Sequence, residues 1–281
     1  MNAPATTLRL ALPKGRMAVG VERLLTEAGI DVRQGRRSYR PEVTLPGCEA
    51  KVLKPQTIVE MLGAGSRDVG FAGADWVAEL GAEVVEVLDT GLDPVSVVAA
   101  APQGLGIDRP LIIASEYERL TRTWIARRDL GDRFVRSYGA TEVFPPEDAD
   151  CIVDNTATGA TLAANGLVVV DTLMRSSTRL YASRAAWSDK RKPIEDLALL
   201  LRSVLEARRR VMVEVNVPAE RLDALVAILP CMREPTISPL RGEGFAVKVA
   251  APRSALPTLV PRIRAVGGAD IVVSSISQLV P

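Results

Sequence analysis

Short apolar runs alternate with short helical stretches along most of this chain. "LRLAL" (Leu8 to Leu12) predicts a buried strand, "PKGRM" turns the chain, and Val19 to Ala28 predicts a helix stopped by Gly29. "KVL" (Lys51 to Leu53), "DVGFAG" (Asp68 to Gly73), "EVVEVL" and "VSVVAAAP" predict four more strands, with a short helix from Gln56 to Gly63. From Leu111 the alternation resumes. "LIIAS" is a strand, Tyr117 to Arg127 a helix, and "RFVRS", "CIVD", "LVVVDTL" and "RLYAS" are strands. Repeated βα units predict a mostly parallel sheet.

A strong helix is predicted from Lys192 to Arg210. Pro193 lies in its first turn, Glu195 and Asp196 near its amino end, and Arg208 to Arg210 at the other, an order that complements the helix dipole. The pattern then changes. "VMVEVNV" alternates strictly, as a half-solvated antiparallel strand does. A helix (Ala219 to Leu229), a loop or hairpin at "EPTISPL", a strand (Phe245 to Ala250), a helix (Ala255 to Val266) and a strand (Ile271 to Ser275) follow. This βαββαβ-like order is that of a ferredoxin-like unit, so a domain boundary is placed near Arg210.

Composition narrows the chemistry. The chain has 281 residues, 25% charged and 47% hydrophobic, enough for a sizeable core in two or three units. A net charge of +1 gives no electrostatic reason to expect nucleic acid or an anionic membrane as partner. No apolar run approaches the ~20 residues of a membrane helix. The opening residues lack the pattern of a secretory signal, and Cys48, Cys151 and Cys231 are far apart, read as reduced residues in a cytoplasmic setting. Histidine is absent, which excludes Ser-His-Asp, Cys-His and His-metal chemistry. Carboxylates, Lys, Arg, hydroxyls and backbone amides remain.

One stretch concentrates them. "CIVDNTATGATLAANG" (Cys151 to Gly166) begins as a strand and ends as a helix, with Asp154, Thr156, Thr158, Gly159 and Thr161 between. In open α/β sheets ligands bind beyond the carboxyl ends of strands. Amides made approachable by Gly159, with the Thr158 and Thr161 hydroxyls, suit a phosphate. Asp154 would repel phosphate and suits the paired hydroxyls of a ribose. Together they point to a phosphorylated sugar. The alternative is an N-capped helix with Asp154 solvated. No Walker pattern is present.

"DNTATGATL" resembles the phosphoribosyl-pyrophosphate (PRPP) loop of phosphoribosyltransferases. "DADCIVDNTATGATLAANGL", preceded by "GATEVFP", resembles the signature of the ATP phosphoribosyltransferases, which begin histidine biosynthesis. "LRLALPKGRM" and "GAGSRDVGFAGADWVAE" are similar to that family's opening turn and its Gly/Asp segment, and "MVEVNVP" and "REPTISPL" to the regulatory domain of its long form. One segment departs: "KPQTIVE" stands where the family has Arg followed by Asp-Ile-Pro. Lys54 keeps the charge without the planar fork, and Thr57 replaces the acid.

The resemblance implies a two-lobed α/β catalytic core, periplasmic-binding-protein-like, plus a C-terminal ferredoxin-like (ACT-like) regulatory domain. Residues 1–90 and 184–210 would form catalytic domain I, residues 91–183 domain II, and residues 211–281 the regulatory domain. It implies attack of ATP N1 on C1 of PRPP with loss of pyrophosphate, aided by Mg²⁺ held mainly by substrate oxygens rather than by a protein metal site. Asp154 would hold the ribose hydroxyls, with Thr156, Ala157, Thr158, Gly159, Ala160 and Thr161 as the 5-phosphate cradle. Glu142 would steady the ribose or the Mg²⁺ side, and Asp150 is a weaker candidate that also fits a strand cap. Lys14, Arg16 and Lys54 would meet ATP phosphates or pyrophosphate. Asp75 would face the nucleotide or cap a helix. Trp76, Trp124 and Trp187 are read as packing residues. Free histidine would inhibit through Asn216, Thr236 and Ser238, in a homo-oligomer passing from dimer to hexamer. Three other classes fit parts of the pattern: a non-catalytic two-lobed small-ligand-binding protein, a regulatory relative of the same fold, and a phosphoribosyltransferase using another base.

Overall fold

The computed structural model describes residues 7–33, 35, 39–230 and 234–280, so Cys231 and the start of "REPTISPL" lie outside it. Two compact units form. One takes the described residues up to Thr26 with Ile30–Ala198, the other Glu27–Gly29 with Leu199 onward.

The first unit begins β1 (Leu8–Pro13), α1 (Arg16–Glu27), the short β2 (Val32–Arg33) and β3 (Glu42–Val43), β4 (Cys48–Leu53) and α2 (Pro55–Gly63). Then come β5 (Val69–Gly73), α3 (Ala74–Leu80), β6 (Val84–Pro102), β7 (Ile112–Ser115), α4 (Glu118–Arg128) and β8 (Arg133–Arg136). A 3-10 turn (Thr141–Val143) leads to β9 (Cys151–Thr156), α5 (Ala160–Ala164), β10 (Leu167–Ser183), α6 (Arg184–Asp189) and α7 (Arg191–Arg209).

Eight strands make one sheet in the order β4-β1-β5-β10-β6-β9-β7-β8. Its flanks are parallel, but β10 pairs antiparallel with both β5 and β6, and β6 antiparallel with β9. The expected mostly parallel sheet is thus corrected at its centre. The cause is local. "EVVEVL" and "VSVVAAAP" fuse into β6, and "LVVVDTL" and "RLYAS" into β10, because the polar segments between them stay in the ladder through register shifts. The expected division of the catalytic part at residues 90 and 91 falls inside β6.

Strand alternation assigns the two sheet faces. Val97, Ala99, Ile113, Cys151 and Val153 pack with Tyr117 and Trp124 on one face. Val98, Ala100, Ala114 and Ile152 pack with Leu162 on the other. Elsewhere Leu10, Leu24, Leu25, Ile58, Leu62 and Phe71 are fully buried, each worth about 1.5–3 kcal/mol of transfer free energy. Cys48 and Cys151 are free thiols whose burial pushes them up to about 11 and about 12, so neither is a thiolate at neutral pH.

In the second unit β11 (Arg210–Val217), a 3-10 turn (Ala219–Arg221), α8 (Leu222–Val226), β12 (Thr236–Pro239), β13 (Phe245–Pro252), α9 (Leu256–Ala265) and β14 (Ala269–Ser275) follow α7. The helix expected over Ala219 to Leu229 is therefore shorter and opens as a 3-10 turn after Pro218. The order β12-β13-β11-β14, antiparallel throughout, is ferredoxin-like. Val211, Val213, Val215 and Val217 face the core with Val247, Val249, Leu225, Leu259 and Ile263. The expected boundary at Arg210 is the first residue of β11, while the compact units part within α7.

Candidate active site

The polar stretch lies where β9 ends. Asp154 and Asn155 are consecutive on the strand, so they leave it on opposite faces. Gly159 then takes φ 77°, the left-handed region that a β-branched residue adopts only with strain. The Thr156 hydroxyl accepts the Gly159 N–H at 2.9 Å and Thr158 the Ala160 N–H at 3.4 Å, which shapes the loop. α5 has only five residues, so hydroxyls and loop amides, rather than a long helix dipole, are what this turn offers an anion.

A cavity of about 320 Å³ opens over the loop, lined by Asp154, Asn155, Thr156, Ala157, Thr158, Ala160, Thr161 and Leu162 with Glu142 and Arg16. Glu142 arrives from the 3-10 turn before β9, and Arg16 is the first residue of α1 rather than part of the turn after β1. Burial, with Glu116 and Glu142 adding negative charge, pushes the Asp154 carboxyl up to about 6 against the lowering effect of the Asn155 N–H at 2.6 Å.

A second cavity, about 300 Å³, shares Arg16 and Asn155 with the first. Lys14, Asp75, Trp76, Asp93 and Ser176–Thr178 line it. Asp75 is buried and does not cap α3, whose N-cap is Gly73. It accepts from Ser176 Oγ at 2.7 Å and from the Tyr117 hydroxyl at 2.6 Å. Gly73 is needed here, since a Cβ on it would stand 2.1 Å from Asp75 Oδ1. Tyr117 in turn accepts from Asn155 Nδ2 at 2.9 Å and stacks on Trp76 at 4.8 Å. Burial and the neighbouring Asp75 raise the Tyr117 pKa far above its ordinary value, so it stays a hydroxyl.

The structure thus groups Glu142, Asp154 and the loop residues in one cavity, and Lys14, Arg16 and Asp75 around the other. Gly159 shapes the loop without lining the cavity. Lys54 lines neither; its carbonyl accepts the Ile58 N–H at the start of α2. Asp150 accepts the Ile112 N–H at 2.8 Å and pairs with Arg109 at 2.7 Å, which ties β9 to β7 outside the cavity. Trp124 donates to Asp171 at 2.7 Å and packs, whereas Trp76 both packs and lines the second cavity. Asn155, Tyr117, Asp93 and Ser176–Thr178 are site residues that the sequence reading misses. Asn155 carries a signal, a polar side chain directly beside Asp154. Asp93 carries none, and its φ of 46° is visible only in the fold.

In the second unit Asn216, Thr236 and Ser238 share the sheet face opposite the core. Asn216 and Ser238 flank Ala246, and Thr236 lies beside Lys248. Asn216 Nδ2 donates to Asp270 at 3.0 Å.

An α/β sheet that delivers a hydroxyl-rich loop, paired acids and basic side chains to two adjoining cavities is the architecture of an enzyme. The chain belongs to the ATP phosphoribosyltransferase family. Residues 54–203 match the family description "HisG: ATP phosphoribosyltransferase" and residues 207–278 match "HisG, C-terminal domain". The ATP phosphoribosyltransferase of Pelotomaculum thermopropionicum is 36% identical over 98% of this chain and 99% of its own length. That of Chlorobium phaeobacteroides is 35% identical over 100% of both chains. A solved structure, the ATP phosphoribosyl transferase (HisG:HisZ) complex from Thermotoga maritima, superposes with TM-score 0.65 at 26% identity, covering 71% of this chain and 99% of that one.

Proposed function

We propose that this transferase joins ATP to PRPP, forming N1-(5-phosphoribosyl)-ATP and pyrophosphate at the entry to histidine biosynthesis, in the cytoplasm. The observation that carries the reading is the meeting of two cavities on Arg16 and Asn155, one of them built on the phosphoribosyl loop. PRPP takes the loop cavity, with its 5-phosphate on the Thr158 and Thr161 hydroxyls and loop amides and its ribose hydroxyls on Asp154. ATP takes the other, where Trp76 gives an aromatic surface for adenine and Lys14 is close enough to serve phosphates.

The N1–C1 bond forms as the C1–O bond to pyrophosphate breaks, and the electron pair leaves on the pyrophosphate oxygen. Positive charge grows at the ribose carbon, where Asp154 and Glu142 supply negative charge. Arg16, shared by both cavities, receives the departing charge. Fixed charges positioned before reaction stabilise such a transition state without a covalent enzyme intermediate. Asp154 and Glu142 are hard oxygen donors in one cavity, where burial first and the charges of Glu116 and Glu142 after it raise Asp154. They suit Mg²⁺ that keeps its other ligands from phosphate oxygens and water. When bound, the ion would neutralise pyrophosphate.

The C-terminal unit would bind free histidine and inhibit the enzyme within a homo-oligomer, dimer to hexamer. A pyrophosphate-release assay with PRPP, Mg²⁺ and each candidate base tests the catalytic reading. Folded protein inactive with ATP but active with another base would overturn it.

A further inference from the structure

The hydrogen bonds around Asn155 leave its amide a single orientation. The Asp75 carboxylate can only accept, so Tyr117 must direct its hydroxyl hydrogen at Asp75 Oδ2, 2.6 Å away. The Tyr117 oxygen is then an acceptor toward its other neighbour, Asn155 Nδ2 at 2.9 Å. A second acceptor, Asp154 Oδ1, stands 3.4 Å from the same nitrogen. The donor end of the amide is therefore turned to protein acceptors. Asn155 Oδ1 has no donor among the described residues, on a side chain that lines both cavities. Tyr117 is itself fully buried and stacked on Trp76, so this orientation rests on a fixed group.

Reaction chemistry identifies what meets that oxygen, given the reading above, on which this inference rests. N1 of the purine must reach C1 of the sugar, so N1 lies where the two cavities join. The exocyclic amine is carried by the ring carbon next to N1, so it lies there too. We propose that Asn155 Oδ1 accepts a hydrogen bond from this amine and selects a 6-aminopurine, with Tyr117 as the positioning residue that orients it. As N1 bonds to C1, positive charge spreads onto the amine and makes it a stronger donor. The contact thus strengthens toward the transition state, the kind of interaction that raises kcat.

Purine riboside 5′-triphosphate keeps the N1 lone pair and lacks the amine. In the pyrophosphate-release assay its inhibition constant against ATP is compared with the KM for ATP. Wild type should favour ATP by about tenfold, the scale of one net hydrogen bond. Asn155→Ala should bring the ratio toward one. Tyr117→Phe, which keeps the ring and its stacking, should do the same by freeing the amide to rotate. If Tyr117→Phe does not fold, Asn155→Ala alone decides the recognition. An unchanged ratio in Asn155→Ala overturns the proposal, as does equal weakening of both nucleotides. A rise in the PRPP KM alone also overturns it and puts Asn155 on the sugar. A wild type inactive with ATP would instead sink the proposed reaction, a separate result.

Discussion

Arg9 grips Asp68 from both backbone and side chain. Its N–H donates to Oδ2 at 2.7 Å, while Nε and Nη2 reach Oδ1 at 3.1 and 2.6 Å. Lys190 adds a third cation-side contact at 2.6 Å to Oδ2. Asp68 is 1% exposed, and its burial alone would raise its pKa; the bonds from Arg9 and Lys190 outweigh that and hold it below the ordinary value. The group joins the edge of β1 to the start of β5 and to the end of α6, away from both cavities.

Asp68→Ala should therefore cost about 3 kcal/mol of stability, the low end for breaking a buried pair, since Arg9 keeps 36% of its side chain exposed. The substrate KM values should stay as in wild type. Because the folded pKa is lowered, the stabilisation is present above the unfolded carboxylate pKa and fades as pH falls below it. Denaturant melts from neutral pH down to acid, for wild type and variant, check both statements; a variant equally stable throughout would leave Arg9 and Lys190 without the role described.

Asp154 has the opposite sign. Its folded pKa, about 6, is raised, so the folded protein holds this proton more tightly than the unfolded chain. Stability of the substrate-free protein from this group should decline as pH rises from the ordinary carboxylate range to about 6. The loss is roughly 1.4 kcal/mol for every tenfold difference in proton affinity between the folded and unfolded carboxyl. Catalysis needs the ionised form, so kcat/KM for PRPP should climb through the same window. Asp154→Asn should remove both trends and lower kcat/KM by the equivalent of about 1.5–3 kcal/mol. A wild-type acid limb surviving in the variant assigns it to another group.

Gly159→Val should raise the KM for PRPP at least about tenfold and leave that for ATP nearly unchanged. A Cβ there meets no protein atom within 4 Å, so the penalty comes from the φ of 77°, whose strain of about 1–2 kcal/mol would reshape the loop that lines the PRPP cavity. Gly159→Ala should show a milder form of the same asymmetry. Equal losses for both substrates, with a lowered Tm, would indicate disrupted folding instead.

Histidine, added at millimolar concentration to the full-length protein, should bind and lower the rate. Ser238→Ala and Asn216→Ala should weaken that binding several-fold with little change in uninhibited kcat, because both lie on the open sheet face of the C-terminal unit. Inhibition from there requires two states of unequal affinity for the ligand. Calorimetry showing no heat of binding would end the regulatory proposal and leave the catalytic one standing.

Much of this is legible in the sequence where the information is local. β1, β5 and β9 announce themselves as apolar runs, and the loop after β9 carries its hydroxyls and its glycine in consecutive positions. The alternating "VMVEVNV" assigns the C-terminal sheet its faces. Gly91 and Pro94 look like a break between two strands, but pairing with β10 carries β6 past them. The Asp75–Tyr117–Asn155 chain is hidden for a different reason. Its members are 42 and 38 residues apart, and a tyrosine beside a tryptophan reads as core until the fold brings a carboxylate to its hydroxyl.

β6 and β10, 19 and 17 residues long, pair along their lengths as one bulged ribbon through the middle of the sheet. Val95 on β6 and Ser176–Thr178 on β10 bring this ribbon to the wall of the second cavity, so ladder pairing rather than a flexible linker holds that wall in place. The ladder shifts register several times along it, and between the Ser176–Val95 and Thr178–Leu92 pairs it leaves Asp93 and Ser177 out of register. Those residues also line the second cavity. A molecule seated there would therefore meet groups that the regular ladder leaves without an opposite partner.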